Sequence, residues 1–144
     1  MSRYTVGVRT PAAAAAAAYC DIRTTATKPI YVLEIGCFTS AATASGVGIG
    51  RPATLGTTST TTLVQAEKSG DAAGVTVVGT AWSAAPTAPA IFMRRLTTPA
   101  NTGAGFIFQW PPNALLIPIS GSLILWNFGA GAGAAMDVYV VVDE

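Results

Sequence analysis

Histidine, the side chain that most often transfers protons at neutral pH, is absent from this sequence. A catalytic triad of serine or cysteine with histidine is therefore excluded. The usual zinc sites need four cysteine or histidine ligands, and the chain has only two cysteines, Cys20 and Cys37. We predict that both are buried thiols and not a disulfide, and that the protein uses no metal and no other cofactor.

Carboxylates are the remaining groups that could do chemistry, because a glycosidase needs only a pair of them. No spacing among the acidic residues predicts such a pair, and at the C-terminus we expect Asp143 and Glu144 to form a mobile tail. Glu34 lies in an apolar strand, where a buried carboxylate needs a partner. We predict a structural ion pair between Glu34 and Arg51, with Arg23 as the other available partner.

Two glycine-rich segments resemble phosphate-binding loops, Gly46-x-Gly48-x-Gly50 and Gly129-x-Gly131-x-Gly133. Neither has the spacing of a phosphate-binding motif, and neither precedes an amphipathic helix. We predict that both are ordinary loops.

The three tryptophans could stack on sugar rings or could pack in the core and at interfaces. Trp126 lies in a strongly apolar run and is predicted to be internal. Trp82 and Trp110 lie near prolines at strand ends, and we predict that both contribute to a subunit or capsid interface. Arg94 and Arg95 are the only adjacent basic residues, and we add them as candidates for the same contact.

The charge balance limits the possible partners of the protein. Eight Lys and Arg oppose seven Asp and Glu, giving a net charge of +1, so we expect no nucleic-acid binding. Mean hydropathy is +0.48, but no stretch approaches the roughly 20 apolar residues that cross a bilayer, so we expect no membrane span. Only 10% of the residues are charged, which favours a surface that contacts other protein.

The elements that must position these residues are mostly strands. Residues 3–9 alternate between apolar and polar, as a half-buried strand does. Thr10 is a suitable N-cap, Pro11 suits the first helical position, and the alanines of residues 12–18 are strong helix formers. We therefore predict a short helix of about two turns after the first strand.

The clearest strand is residues 30–39. Strict alternation predicts one face with Tyr31, Leu33, Ile35 and Cys37 and an opposite face with Val32, Glu34, Gly36 and Phe38. Residues 41–62 lack an apolar period and are predicted to be a long loop with short strand pieces. Further strands are predicted at residues 63–66, 75–82, 90–97, 106–110, 122–128 and 137–142, whereas the apolar segment 115–119 is broken by Pro118.

About eight strands at regular spacing predict a mostly β protein. The expected fold is a jelly-roll-like antiparallel β-sandwich with one short N-terminal helix, formed as a single domain by residues 1–144. Strand 137–142 is apolar on both faces and should lie centrally in its sheet.

The segments YVLEIGCFTSAATASGVGIGRP, TAWSAAPTAP and SLILWNFGAGAGAAMDVYVVVDE resemble the small jelly-roll virion proteins of tailed bacteriophages, which include head decoration or cement proteins. The resemblance implies a non-enzymatic structural protein on the capsid surface of a virion, assembled in the host cytoplasm. It also implies a homotrimer that bridges subunits of the major capsid protein or contacts another virion protein.

A second interpretation keeps the fold and changes the function to a receptor- or carbohydrate-binding module of a phage tail fibre or baseplate. Gln109 and Asn113 are the polar residues near a tryptophan that could serve such a site. A hydrolase that uses two carboxylates is the weakest interpretation, since no acidic pair can be named.

Overall fold

The computed structural model of the chain describes residues 1–25 and 27–144, which form two antiparallel six-stranded sheets and contain no helix. The predicted mostly β, sandwich-like architecture is confirmed. The strands are β1 (Arg3–Arg9), β2 (Ala18–Thr24), β3 (Ile30–Thr39), β4 (Ser45–Pro52), β5 (Thr57–Leu63), β6 (Gln65–Ala66), β7 (Thr76–Ala84), β8 (Pro89–Thr98), β9 (Gly105–Gln109), β10 (Leu115–Ile117), β11 (Ser122–Trp126) and β12 (Met136–Asp143).

The first sheet, sheet A, has the order β10-β3-β12-β1-β6, and β9 pairs with β3 beside β10. The second sheet, sheet B, has the order β5-β7-β2-β11-β4-β8. As predicted, β12 is central, since it pairs along its length with β1 on one side and β3 on the other.

The core lies between the two sheets. Strand β12 contributes every second residue, Val138, Val140 and Val142, all nearly inaccessible to solvent. From sheet B, β2 and β11 contribute apolar side chains such as Ile22 and Leu125. Apolar surface removed from water contributes about 25 cal/mol per Å² to the free energy of folding. Burial of the inner faces of both sheets therefore supplies most of the driving force for this fold.

The predicted helix at residues 12–18 is wrong. Residues 12–17 form an irregular loop and Ala18 begins β2, and Ala16 has a left-handed φ of 51° that a continuing α-helix excludes. The loop's carbonyl groups bond to other segments: the Ala13 carbonyl accepts from the Gly133 amide at 2.8 Å, and the Ala17 carbonyl from the Asn127 amide at 2.8 Å. A two-turn helix is marginal alone, so these tertiary hydrogen bonds override the helix propensity of alanine.

Asn127 organises this loop from a fully buried position. Its side-chain amide donates to the carbonyl oxygens of Ala13 (3.2 Å), Ala14 (2.9 Å) and Gly131 (2.9 Å). Its side-chain oxygen accepts from the Gly129 amide at 2.9 Å. One asparagine therefore connects the alanine loop to the second glycine-rich segment, which forms a loop as predicted.

Residues 41–62 were predicted to be mostly loop, but they contain β4 and all of β5 except its last residue, Leu63. The first glycine-rich segment lies inside β4, and its glycines leave room for rings. A Cβ at Gly48 would overlap the Phe92 ring, and a Cβ at Gly50 would overlap Pro89. These glycines therefore allow close packing on the outer face of sheet B, as glycine in a strand often does.

The expected mobile C-terminal tail is also wrong at Glu144. Its side chain is fully buried and accepts hydrogen bonds from the amides of Val75 (2.8 Å) and Thr76 (2.8 Å), with Lys28 Nζ 3.6 Å away. Its backbone exchanges two 3.0 Å hydrogen bonds with Ser2. Glu144 thus connects the end of β12 to the start of β7, which belongs to the other sheet.

Cys20 and Cys37 are both free and buried, as predicted. They belong to opposite sheets, and both contribute to the core. Burial raises the pKa of each thiol above its ordinary value, which disfavours the reactive thiolate.

We expect Asn127→Ala to lower the free energy of unfolding by about 2–3 kcal/mol, because it removes the four hydrogen bonds that this buried side chain makes to backbone groups. Urea denaturation measures this difference. Asn101→Ala, which makes the same truncation in an exposed turn, should stay within about 0.5 kcal/mol of the unsubstituted protein. Equal stability of the two variants would contradict the role assigned to Asn127.

Candidate functional site

The outer face of sheet A carries a groove with apolar and polar lining, and a β-bulge in β3 shapes it. Val141 lies opposite Glu34, while Val142 lies opposite Val32, so Leu33 is the extra residue of the bulge. The Leu33 carbonyl accepts a 2.9 Å hydrogen bond from the Trp110 amide. Leu33 and Glu34 consequently line the same groove, although they are adjacent in a strand.

The bulge also corrects the predicted faces of β3. Ile35 and Cys37 point into the core as predicted, but Val32 accompanies them there, whereas Leu33 does not. Strict alternation fails because the extra residue shifts the pattern by one position.

The bulge opens into a groove of about 490 Å³ beside Trp110, called here the Trp110 groove, which lies in the usual volume range of small-molecule sites. The Trp110 ring packs against Phe108, with 6.1 Å between ring centroids. Because Phe108 itself packs against the core, it supports the Trp110 side of the groove. The groove is lined by Arg3, Leu33, Glu34, Gln109, Trp110, Pro111, Pro112 and Val141.

Glu34 is the central polar group of the groove. Its Oε2 accepts a 2.6 Å hydrogen bond from the Gln109 side-chain amide, and its Oε1 accepts from the Tyr139 hydroxyl. These two donors, Gln109 first, hold the pKa of Glu34 below its ordinary value. The carboxylate therefore stays ionised at neutral pH, which suits a hydrogen-bond acceptor and not a general acid.

The predicted ion pair between Glu34 and Arg51 is not formed. Arg51 instead donates to the Leu116 carbonyl at 2.7 Å. Arg23, the alternative partner, pairs with the buried Asp21 of its own strand. Neither arginine reaches Glu34, because Arg23 and Arg51 belong to sheet B and Glu34 lies on the outer face of sheet A.

Two glycines shape the same face next to Glu34. Tyr139 lies opposite both Gly36 on β3 and Gly7 on β1, and its ring covers Gly36 so closely that a Cβ there would overlap it. A Cβ at Gly7 would meet no atom within 4 Å. Gly7 therefore leaves an open depression of about 340 Å³, bounded by Arg9, Phe38 and Tyr139.

Two cross-strand ion pairs flank this face. Arg9 forms a bidentate pair with Asp137, with both N···O distances 2.7 Å, and Arg3 Nε lies 3.2 Å from an Asp143 oxygen. The first pair lowers the pKa of Asp137 and raises that of Arg9. Both ion pairs are exposed to solvent, so they contribute little to stability. In each pair the positive charge of the arginine offsets the negative charge of the aspartate.

The four residues predicted for an interface do not form one patch. Trp110 lies at the groove of sheet A, whereas the others belong to sheet B, Trp82 on β7 and the two arginines on β8 near the opposite edge. Arg95 packs over the Phe128 ring, 4.0 Å from its centroid, and Arg94 is exposed.

Trp82 is half-buried near Asp21, a fully buried carboxylate on the outer side of β2. Desolvation raises the pKa of Asp21, while Arg23 and, to a smaller extent, Trp82 oppose that shift. Within residues 1–25 and 27–144, the Trp82 Nε1 and Asp21 Oδ1 atoms nevertheless lack a hydrogen-bond partner of normal geometry.

Sequence reasoning selected Glu34, Trp110 and Gln109 but missed Leu33, Val141 and Tyr139. Gln109 directly precedes Trp110, so their proximity was visible in the sequence. The contribution of Leu33 depends on a bulge, and that of Tyr139 depends on its register opposite Gly36. No local pattern indicates either feature.

Comparison with known protein families, curated proteins and solved structures finds no match for this chain. In residues 1–25 and 27–144, no three His, Cys, Asp or Glu side chains cluster in a way that could hold a metal ion. The same residues include no helix long and apolar enough to cross a membrane.

The hydrogen bond to Glu34 raises the pKa of the Tyr139 phenol to about 12. We expect Glu34→Gln to return this pKa toward the ordinary tyrosine value of about 10, because the anion opposing ionisation is removed. NMR titration of the tyrosine ring Cζ resonances measures the change. Tyr19, whose pKa is also raised to about 12 but mainly by burial, should not change, and an unshifted Tyr139 would contradict the assigned network.

A matched pair of glycine substitutions tests the geometry of this face. Gly36→Ala should displace the Tyr139 ring and lower the Tyr139 pKa as Glu34→Gln does. Gly7→Ala should leave that pKa unchanged and keep or raise stability by about 0.5 kcal/mol, because its Cβ enters open space. Thermal denaturation with the same NMR titration measures both, and equal effects at the two positions would refute the register described above.

Proposed function

We propose that this protein is a non-catalytic structural subunit that assembles with copies of itself and with other proteins. The proposed setting is the surface of a tailed-bacteriophage capsid, where a head decoration protein bridges subunits of the major capsid protein. The observation that carries the proposal is the outer edge of sheet B, formed by β5.

Among the described strands, β5 pairs only with β7, so its other side presents unpaired backbone groups. Most of its seven residues are exposed, and the strand ends at Leu63, whose exposed fraction is 47%. Three register shifts against β7 bend the strand, but it contains no charged residue and no proline. Monomeric proteins protect such edges with charges and prolines, so this edge favours a protein partner.

The distribution of charge gives further support. In the part of the chain that the structure describes, eight of the 15 charged side chains (8 Lys and Arg, 7 Asp and Glu) form four ion pairs, two of them across β1 and β12. Few charges therefore remain to oppose close contact with another protein surface. Depletion of charge is the compositional sign of interface cores.

The strand order supports a jelly roll as the finer description of the fold. If β5–β7 are set aside as an insertion and β9 and β10 count as one strand, eight strands remain. Numbered one to eight along the chain, they lie in the orders 1-8-3-6 and 2-7-4-5, the two-sheet order of a jelly roll. This architecture occurs in viral capsid proteins and in lectins, so the fold is compatible with the proposed setting but does not establish it.

The partner of the β5 edge is proposed to be a second copy of this chain. The opposite edge of sheet B is β8, which presents Arg94 and Ile91, the latter with an exposed fraction of 79%. Contact between two different edges is heterologous, and such contacts close into rings when the rotation permits. The proposed ring is a homotrimer in which β5 of one copy contacts β8 of the next. Trp82 on β7 lies beside β5 and therefore next to this contact.

We expect sedimentation equilibrium to give the mass of a trimer. We expect Thr60→Lys to shift the equilibrium at least about tenfold toward the monomer, because a charge at the centre of β5 must be desolvated in the contact. Thr102→Lys adds the same charge in an exposed turn and should leave the trimer intact. A monomer at all concentrations, or equal behaviour of the two variants, would refute self-assembly through β5.

A further inference from the structure

We propose that the Trp110 groove binds a neutral carbohydrate, with Glu34 accepting hydrogen bonds from two neighbouring hydroxyl groups. The groove lies on sheet A, away from the β5 edge of sheet B, so this inference does not rest on the proposed assembly.

The shape of the groove fits a sugar ring. Leu33 and Val141 give it an apolar floor, and Trp110, Pro111 and Pro112 add apolar wall. Sugar rings have apolar C–H faces that pack against aromatic and aliphatic surfaces, while their hydroxyl groups point outward from the ring edge. An apolar floor beside a few fixed polar groups is the usual composition of a small-molecule site.

The polar groups are fixed in place before any ligand arrives. Each oxygen of Glu34 accepts one hydrogen bond within the protein, one from Gln109 and one from Tyr139. A carboxylate has about four acceptor positions, so one on each oxygen is free. Two adjacent sugar hydroxyls can donate to these two free acceptor positions of Glu34. The Gln109 side-chain amide has a second N–H and an oxygen, and these can bond to a third hydroxyl of the sugar.

The charge of the groove selects against ionic ligands. Arg3 at one end is already paired with Asp143, with 3.2 Å between Nε and the carboxylate oxygen. Among the residues that the structure describes, Glu34 is the only carboxylate that lines the groove, and no unpaired cation lines it. A phosphorylated or acidic ligand would meet the Glu34 charge, and a multivalent cation would meet a single carboxylate, so a neutral polyol fits best.

The tyrosine contact gives the site its rigidity. The Tyr139 ring rests on Gly36, where a side chain would displace it, and this packing directs its hydroxyl at Glu34. A carboxylate held from two sides loses little conformational freedom on binding, which reduces the entropic cost of association.

The test begins with an array of neutral oligosaccharides built from glucose, galactose, mannose and N-acetylglucosamine. Any ligand found is then titrated against the whole protein by two-dimensional NMR. We expect the shifted resonances to include Leu33, Gln109 and Trp110. We expect Glu34→Gln to weaken binding at least about tenfold, because a hydrogen bond to a charged acceptor is stronger than one to an amide.

Glu67→Gln removes the same charge from an exposed residue outside the groove and should leave the affinity unchanged. Gln109→Ala serves as a second variant that does not alter the core, and its unfolding curve should match that of the unsubstituted protein. No binding to any array member at millimolar concentration would overturn the proposal. So would equal affinity of the two Glu→Gln variants, resonance shifts outside the groove, or a proline-rich peptide that binds the groove while the sugars do not.

Discussion

The fold depends on the position of β12, which pairs with β1 on one side and with β3 on the other. Three valines of this strand form part of the core between the sheets, and Glu144 at its end bonds to the amides that begin β7 in sheet B. Removing β12 would separate β1 from β3 and detach the two sheets at that end. Long-range pairing of this kind makes the ends of the chain part of the core structure.

The outer face of sheet A follows from the same pairing. Because β12 lies between β1 and β3, Tyr139 is placed over Gly36 and within reach of Glu34. The register shift between Val141 and Val142 produces the bulge that places Leu33 in the lining of the groove. The groove is therefore a consequence of how the central strand aligns with β3, and its polar residues Glu34 and Gln109 lie on paired strands.

The two sheets have different outer faces, which suits two different roles. Sheet A combines ion pairs, glycines and an ionised carboxylate in a shaped groove. Sheet B presents an uncharged edge at β5, and its glycine-rich β4 is covered by Phe92 and Pro89. Protein contact through an edge and ligand contact through a face can coexist in one sandwich, because backbone pairing and side-chain recognition use different surfaces.

The sequence by itself determined the β-rich class, the strands of clear alternation, the buried free cysteines and the central place of β12. Period-two patterns are local, so residues such as Val138 and Val140 indicate their own burial. Only the tertiary structure decided the rest. Alanine propensity at residues 12–18 lost to hydrogen bonds from Asn127, and the partners of Glu34 came from strands 75 and 105 residues away in the chain. Bulges and cross-strand partners depend on strand register, which no local pattern encodes.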